Sequence, residues 1–249
     1  MDRSDYIFGI RPVMEAMEAG KSIDKILIKR ELTGDLAKEL MDMARRFGIY
    51  CQKVPLEKLN RITAKNHQGV IAIISPIRYH ELENVVIGLY EEGKTPLGMI
   101  LDGVTDARNF GAIARSCECA GADFIVIPER GSASATSDAV RASAGALFHL
   151  PVCRVRDCTA AVKILQENGY KIVGASEKGA RNYTDVDFTV PVAVVMGAED
   201  VGISTDVIRK CDDLAAIPIK GKVGSLNVSV AAGIFLYEAV RQRSLTSEL

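Results

Sequence analysis

The chain has 249 residues, 48% hydrophobic and 25% charged, with a formal net charge of −1, enough apolar material for one large core or two small ones. No apolar run reaches the roughly 18 residues of a membrane span, and the start, MDRSDYIFGIRP, has no apolar signal core, so the expected location is cytoplasmic. Six cysteines without a Cys-x-x-Cys pair, beside only three histidines, leave no zinc pattern, and no metal is expected.

In chain order, Tyr6–Gly9 leads into a helix with Pro12 near its first turn and Val13, Ala16 and Met17 on one face. Lys25–Ile28 reads as a strand. Leu36–Phe47 has a helical period closed by Gly48. Tyr50–Val54 is a second strand, a short helix lies around Leu56–Leu59, and Val70–Ile74 is a continuous buried strand. Pro76 cannot donate within a central ladder, so a first domain closes near residue 75. Residues 1–80 carry 14 Lys/Arg against 10 Asp/Glu, and the rest 17 against 22. A mildly basic front half suits phosphate contacts, although an ordinary solvated surface accounts for it as well.

Residues 76–95 read as a linker with a short charged helix over Leu82–Glu92. From Leu97 strands alternate with helices. The strands are Leu97–Leu101, Phe124–Ile127, Lys171–Ala175, Val192–Met196 and Leu214–Ile217. The helices lie near Asn109–Ala120, Ser137–Ala144, Thr159–Asn168, Ser204–Lys210 and Asn227–Arg243. Apolar strands separated by helices predict an α/β domain with a largely parallel sheet covered on both faces.

Several standard sites are excluded. No Gly-x-Gly-x-x-Gly follows the first strand of the second domain, no Gly-x-Ser-x-Gly occurs, and the lysine of Gly221-Lys222-Val223-Gly224-Ser225 is misplaced for a P-loop. What remains are three glycine-rich segments at strand C-termini: LDGVTDARNFGAIARS, MGAEDVGIS and IPIKGKVGSLNVSVAAG. Ligands of open α/β sheets bind outside these ends, so the loops should converge. Each segment also has an ordinary account. Asn109 can cap its helix, Arg115 can pair with Glu118, Glu199 can favour a helix N-terminus, and Ser225 and Asn227 are common turn residues. Spacing alone gives a ligand site of unknown chemistry.

The three segments, in this order, resemble the signature motifs of the SpoU (TrmH) branch of the SPOUT methyltransferases, and the match runs over residues 97–243. FGIRPVMEAM and NHQGVIAI, at the front, resemble the RNA-binding domain of the 23S rRNA guanosine-2′-O-methyltransferases, which is related to a small ribosomal-protein fold. One departure is Asp200, which stands where glycine is the more usual neighbour of the motif glutamate.

The resemblance implies a knotted methyltransferase domain over 96–249, with a deep trefoil knot, and an α/β RNA-binding domain over 1–75. It implies S-adenosylmethionine (AdoMet) as methyl donor, held by Gly197, Ile217 and Leu226 with Met196, Ile219 and Val228 as neighbours. It places Arg115 at the reacting ribose, served by Asn109, Glu199, Ser225, Asn227 and Ser229. The partners it implies are 23S rRNA or a ribosome assembly intermediate, and a second copy of the chain through the knot region. Ala231, Ala232 and Gly233 would let helices approach there, and fit an intramolecular contact equally. Lys21, Lys25, Lys29, Arg30, Arg61 and Lys65 are candidate phosphate contacts, and the Asn66–Gly69 loop a further RNA contact through Asn66. A guanidinium is a poor base. Arg115 is therefore expected to bind phosphate and hydroxyl and to favour the developing alkoxide rather than act as a simple proton acceptor.

Overall fold

The computed structural model describes residues 6–177, 179 and 181–246. By backbone proximity the chain divides into two compact units, one of the residues up to Arg78 together with Ala135–Ser137, the other of the remainder from Tyr79 on.

The first unit runs β1 (Tyr6–Phe8), α1 (Ile10–Glu18), β2 (Ile23–Lys29), α2 (Asp35–Arg46), β3 (Cys51–Val54), α3 (Leu56–Ile62) and β4 (Val70–Ile74). Its sheet has the order β1-β4-β2-β3, with β2 and β3 parallel and β4 antiparallel to both its neighbours. The continuous apolar run of β4 suits its central position, where both faces are covered. Val13, Met17, Leu40 and Ala44 of α1 and α2 pack with Ile26 and Val70 on one side, and Leu59 of α3 packs with Leu27 and Ile71 on the other.

The second unit runs β5 (Tyr79–His80), α4 (Leu82–Glu91), β6 (Leu97–Asp102), α5 (Ala107–Cys119), β7 (Phe124–Pro128), α6 (Ser137–Ala142), β8 (Val152–Val155), α7 (Cys158–Glu167), β9 (Lys171–Ala175), β10 (Arg181–Asn182), β11 (Val192–Gly197), α8 (Thr205–Ile208), β12 (Asp213–Ala216) and α9 (Val228–Thr246). The eight strands form one sheet, β10-β12-β9-β11-β6-β7-β8-β5, and every pairing is parallel. Helices α4, α7 and α8 bury Leu82, Val86, Val162, Leu165 and Val207 against Ile100, Val126 and Val195. Helices α5 and α9 pack on each other, α5 against β7 and α9 against β11, and supply buried Phe110, Ile113, Phe235 and Leu236.

The expected parallel α/β sheet is present, with differences in detail. The stretch read as a linker contributes β5 to this sheet and α4 to its core. Strands β8 and β10 have no counterpart in the sequence reading. The last strand covers Asp213–Ala216 rather than Leu214–Ile217, which leaves Ile217 in the loop beyond it. Arg243, near the end of α9, donates to the carbonyl oxygens of Phe188, Thr95, Pro96 and Val190 and so fastens the strand-entry loops on the sheet edge opposite the three motif loops.

Candidate functional site

The C-termini of β6, β11 and β12 carry the three segments singled out in the sequence. The helix after β6 is capped by Asp106, whose carboxylate accepts from the amides of Arg108 (2.8 Å) and Asn109 (2.9 Å). The expectation that Asn109 caps this helix is corrected: Asn109 lies inside α5, and its side chain points across to another loop. An Asp just before the helical period was the available signal.

The loop after β11 is a tight return. Ala198 and Gly202 exchange two backbone hydrogen bonds, of 3.0 and 2.9 Å. Gly197 sits so close to the returning chain that a Cβ there would lie 2.2 Å from Gly202 C and Ile203 N. Asp102, at the end of β6, accepts from Ser204 N at 2.7 Å and ties this loop to the neighbouring strand. Nothing in the sequence pattern marks Asp102 for that role. Asp200 is exposed and accepts from Val201 N within its own loop.

These supports place Glu199 over α5. Its Oε1 accepts from Asn109 Nδ2 at 2.7 Å and from Asn227 Nδ2 at 3.0 Å. Asn227 Nδ2 also donates to Asn109 Oδ1 at 3.1 Å, while Asn227 Oδ1 accepts from Ser229 N (2.9 Å) and Ser229 Oγ (2.6 Å). The Asn227 amide is therefore saturated, with both protons and both lone pairs engaged. Glu199 does not serve a helix N-terminus; it bridges two loops.

Arg115 and Ser225 stand apart from this network. Arg115 is exposed and, among the described residues, has no hydrogen bond or ion pair; the expected alternative of a Glu118 pair is not formed. None of Asn109, Glu199, Asn227 and Ser229 bonds to it. Its charge is left facing solvent, roughly 120° around α5 from Asn109 and roughly 9 Å along the axis.

Met196 and Val228 are buried, Gly197 and Ile217 half-buried, and Ile219 and Leu226 each 40% exposed. Among the described residues, the backbone from Ile217 to Leu226 makes no backbone hydrogen bond. The loop thus offers free amides and carbonyls between apolar side chains. No group of three His, Cys, Asp or Glu suited to a metal occurs among the described residues. Burial pushes the thiols of Cys153 and Cys211 up to about 12, so neither is a nucleophile at neutral pH.

In the first unit the candidate cations do not form one cluster. Lys21 precedes β2 and Arg30 follows it, so roughly 25 Å of extended chain separates them. Lys25 pairs with Asp24 (3.7 Å), Lys29 with Glu31 (3.8 Å), and Lys65 lies over the Phe8 ring at 5.7 Å. Lys21, Arg30 and Arg61 are exposed. The Asn66–Gly69 loop has internal work: His67 Nδ1 accepts from Gly69 N, and Asn66 Oδ1 from Gln68 N. Gln68, at φ +53°, accepts from Ile10 N at the start of α1.

Among the described residues, no helix is long and apolar enough to cross a membrane. Residues 96–237 match the model of the SpoU rRNA methylase family, and residues 6–80 match the RNA 2′-O ribose methyltransferase substrate-binding model. YacO of Bacillus subtilis (strain 168), named for the TrmH family of tRNA/rRNA methyltransferases, is 34% identical over 98% of both chains. The SpoU methyltransferase AviRb from Streptomyces viridochromogenes, in complex with the cofactor AdoMet, superposes with TM-score 0.61 at 30% identity, over 96% of this chain and 90% of that one. An AdoMet-bound rRNA methyltransferase from Sinorhizobium meliloti gives TM-score 0.60 at 26% identity, over 95% and 87%. The chain belongs to the SpoU rRNA methylase family and is an RNA methyltransferase of the TrmH type.

Proposed function

We propose that this protein transfers a methyl group from AdoMet to the ribose 2′-hydroxyl of a guanosine in 23S rRNA, as an RlmB-like enzyme. The observation that carries the reading is the Asn109–Glu199–Asn227–Ser229 network, which gathers three strand-end loops on the helix that also carries the uncommitted Arg115.

The third loop fits an adenosyl donor. Ile217, Ile219 and Leu226 offer apolar contact, and the open backbone between Ile217 and Leu226 offers the hydrogen bonds an adenine needs. Gly197 and Met196 would close the site from the second loop, with Val228 beneath it. When bound, the donor supplies a methyl already activated by its sulfonium. The chain's residues then have to place the hydroxyl oxygen in line and help its proton leave.

Arg115 holds the target phosphate and hydroxyl and favours the alkoxide that develops. Glu199 Oε1 is occupied by two amide donors, while its Oε2 has no partner among the described residues and faces the proton being lost. Asn109 keeps one N–H free after bonding Glu199 and can donate to the ribose. Asn227 and Ser229 lock that carboxylate and amide in place, and Ser225 lines the same loop.

Residues 1–75 choose the RNA, and Lys21, Arg30, Arg61 and Asn66 are their outward contacts. The rRNA choice is supported by the Sinorhizobium meliloti rRNA methyltransferase, whose likeness extends over 95% of the chain and so includes this front unit. The trefoil knot of the C-terminal segment is part of the same reading. It is supported by the path of α9, which leaves β12 near the sheet edge and returns to pack on α5.

A homodimer also belongs to it. Ala232 is buried and Gly233 faces Ser116 of α5, so these two serve the fold, whereas Val230, Ile234 and Tyr237 form an outer stripe for a second copy. Mapping 2′-O-methylation on cellular rRNA and tRNA with and without the gene tests the reading. Loss at one guanosine of 23S rRNA is expected. Loss at a tRNA guanosine instead establishes a tRNA enzyme, and loss at another rRNA nucleotide a resistance-type methylase. Unchanged RNA in a cell that expresses the protein makes it a non-catalytic RNA binder.

A further inference from the structure

We propose that Arg108 binds a backbone phosphate of the substrate RNA and, with Arg115, holds the strand at two points along α5. The proposal rests on the reading that the RNA strand enters at Arg115.

An α-helix turns 100° per residue, so seven residues bring Arg108 and Arg115 to within about 20° of the same face, roughly 10.5 Å apart along the axis. Both are exposed, and among the described residues neither guanidinium has a hydrogen bond or ion pair. On that face only Ala112 stands between them, too small to keep a polynucleotide backbone away. The span matches about three nucleotides of stacked strand, at about 3.4 Å per nucleotide.

The placement of Arg108 is locally unfavourable without a ligand. It lies in the first turn of α5, where the helix dipole is positive and repels a cation. The Asp106 carboxylate nearby is spent on the amides of Arg108 and Asn109. The other neighbouring acid is Asp138, on α6, which packs against α5 where Gly111 approaches the Ala139 carbonyl. Asp138 already pairs with Arg141, which does more than Arg108 to hold its carboxyl below the ordinary value. Arg108 therefore keeps an unpaired guanidinium beside the Asn109 network, balanced only at a distance by Asp138. Residues 81–249 are acidic overall, with 17 Lys/Arg against 22 Asp/Glu, so a pair of free guanidiniums on one helix is a local departure. A phosphate diester matches it in charge, and in the fork geometry of guanidinium.

The test titrates the full chain, without methyl donor, against a fluorescein-labelled mixed-sequence single-stranded oligoribonucleotide over a range of salt. Arg108→Gln should weaken binding several-fold at low salt. It should also flatten the slope of log affinity against log salt by about 0.7, the loss of one phosphate contact. Arg108→Lys should restore the slope, because the point charge is kept. Lys163→Gln, on α7 across the sheet, should leave it unchanged. A wild-type slope for Arg108→Gln, or an equal flattening for Lys163→Gln, overturns the proposal. AdoMet binding by the unaltered protein, followed by calorimetry, tests the methyltransferase reading separately.

Discussion

Asn227 and Asn109, 118 residues apart in sequence, meet side chain to side chain, with Asn227 Nδ2 donating to Asn109 Oδ1 at 3.1 Å. Glu199 accepts from both amides, so the junction of three loops is one small polar network rather than three separate caps. The second carboxylate oxygen of Glu199 and one Asn109 proton have no hydrogen-bond partner among the described residues.

Arg115 is asked to supply charge at the reacting ribose and nothing to the fold. Arg115→Ala should abolish methyl transfer while leaving AdoMet affinity by calorimetry and the melting temperature unchanged. Retention of more than about a tenth of the rate, a barrier change under about 1.4 kcal/mol, removes Arg115 from the essential set.

Glu199→Gln keeps an oxygen for the two asparagine amides but removes the negative charge. Single-turnover methylation should slow by about 10- to 100-fold, the size of one charge-assisted hydrogen bond. All the groups involved reach solvent, so the stability change should stay within about 0.5 kcal/mol by urea unfolding. A large loss of stability with the rate preserved would make the network a structural clasp.

Gly197→Ala forces a Cβ to 2.2 Å from two backbone atoms of the returning loop. The loop must open, at about 1–3 kcal/mol, and AdoMet affinity should fall with it. Gly88→Ala, on α4, is the control, since nothing lies within 4 Å of its Cβ position and its φ is not positive. Equal AdoMet affinities for the two variants would contradict this account of the loop.

Asp157 caps α7 and accepts from Thr159 Oγ1 at 2.6 Å and from Ala160 N at 2.9 Å. The Thr159 hydroxyl first, then the Ala160 amide and Arg156, hold its carboxyl down at about 2. Because the folded value lies below the ordinary 3.8, this contribution is present above pH 3.8 and fades as pH falls through about 2. Asp157→Ala should therefore cost about 1 kcal/mol at pH 7, with the gap from the unaltered protein closing between those two pH values. Denaturant unfolding at pH 7 and near pH 2 measures it.

Much of the second unit was legible in the sequence because its central strands are unbroken apolar runs. Leu97–Leu101 and Val192–Met196 are too short for a membrane span and suit strands covered on both faces. Strand β8 was not legible, since Val-Cys-Arg-Val after Pro151 interrupts the apolar run with a charge. Tyr79–His80 and Arg181–Asn182 are two-residue pairings that no periodicity can announce. The candidate residues themselves were marked by motif resemblance, but their mutual bonds were not. A hydrogen bond between Asn109 and Asn227 depends on how three crossovers return to one sheet edge, and a spacing rule has no access to that. Asp102 was missed for the same reason, because its partner Ser204 lies 102 residues on.

The separation of Asn109 from Asn227 also sets a time. At about 5–20 residues per second of synthesis, the second asparagine leaves the ribosome about 6 to 24 seconds after the first. Through that interval the carboxylate of Glu199, once synthesised, has only one of its two amide partners in the chain. The constellation therefore closes in a fixed order, with the segment that follows β12 as the last piece to arrive. A chain arrested before that segment carries Asn109 and Glu199 without the amide that joins them.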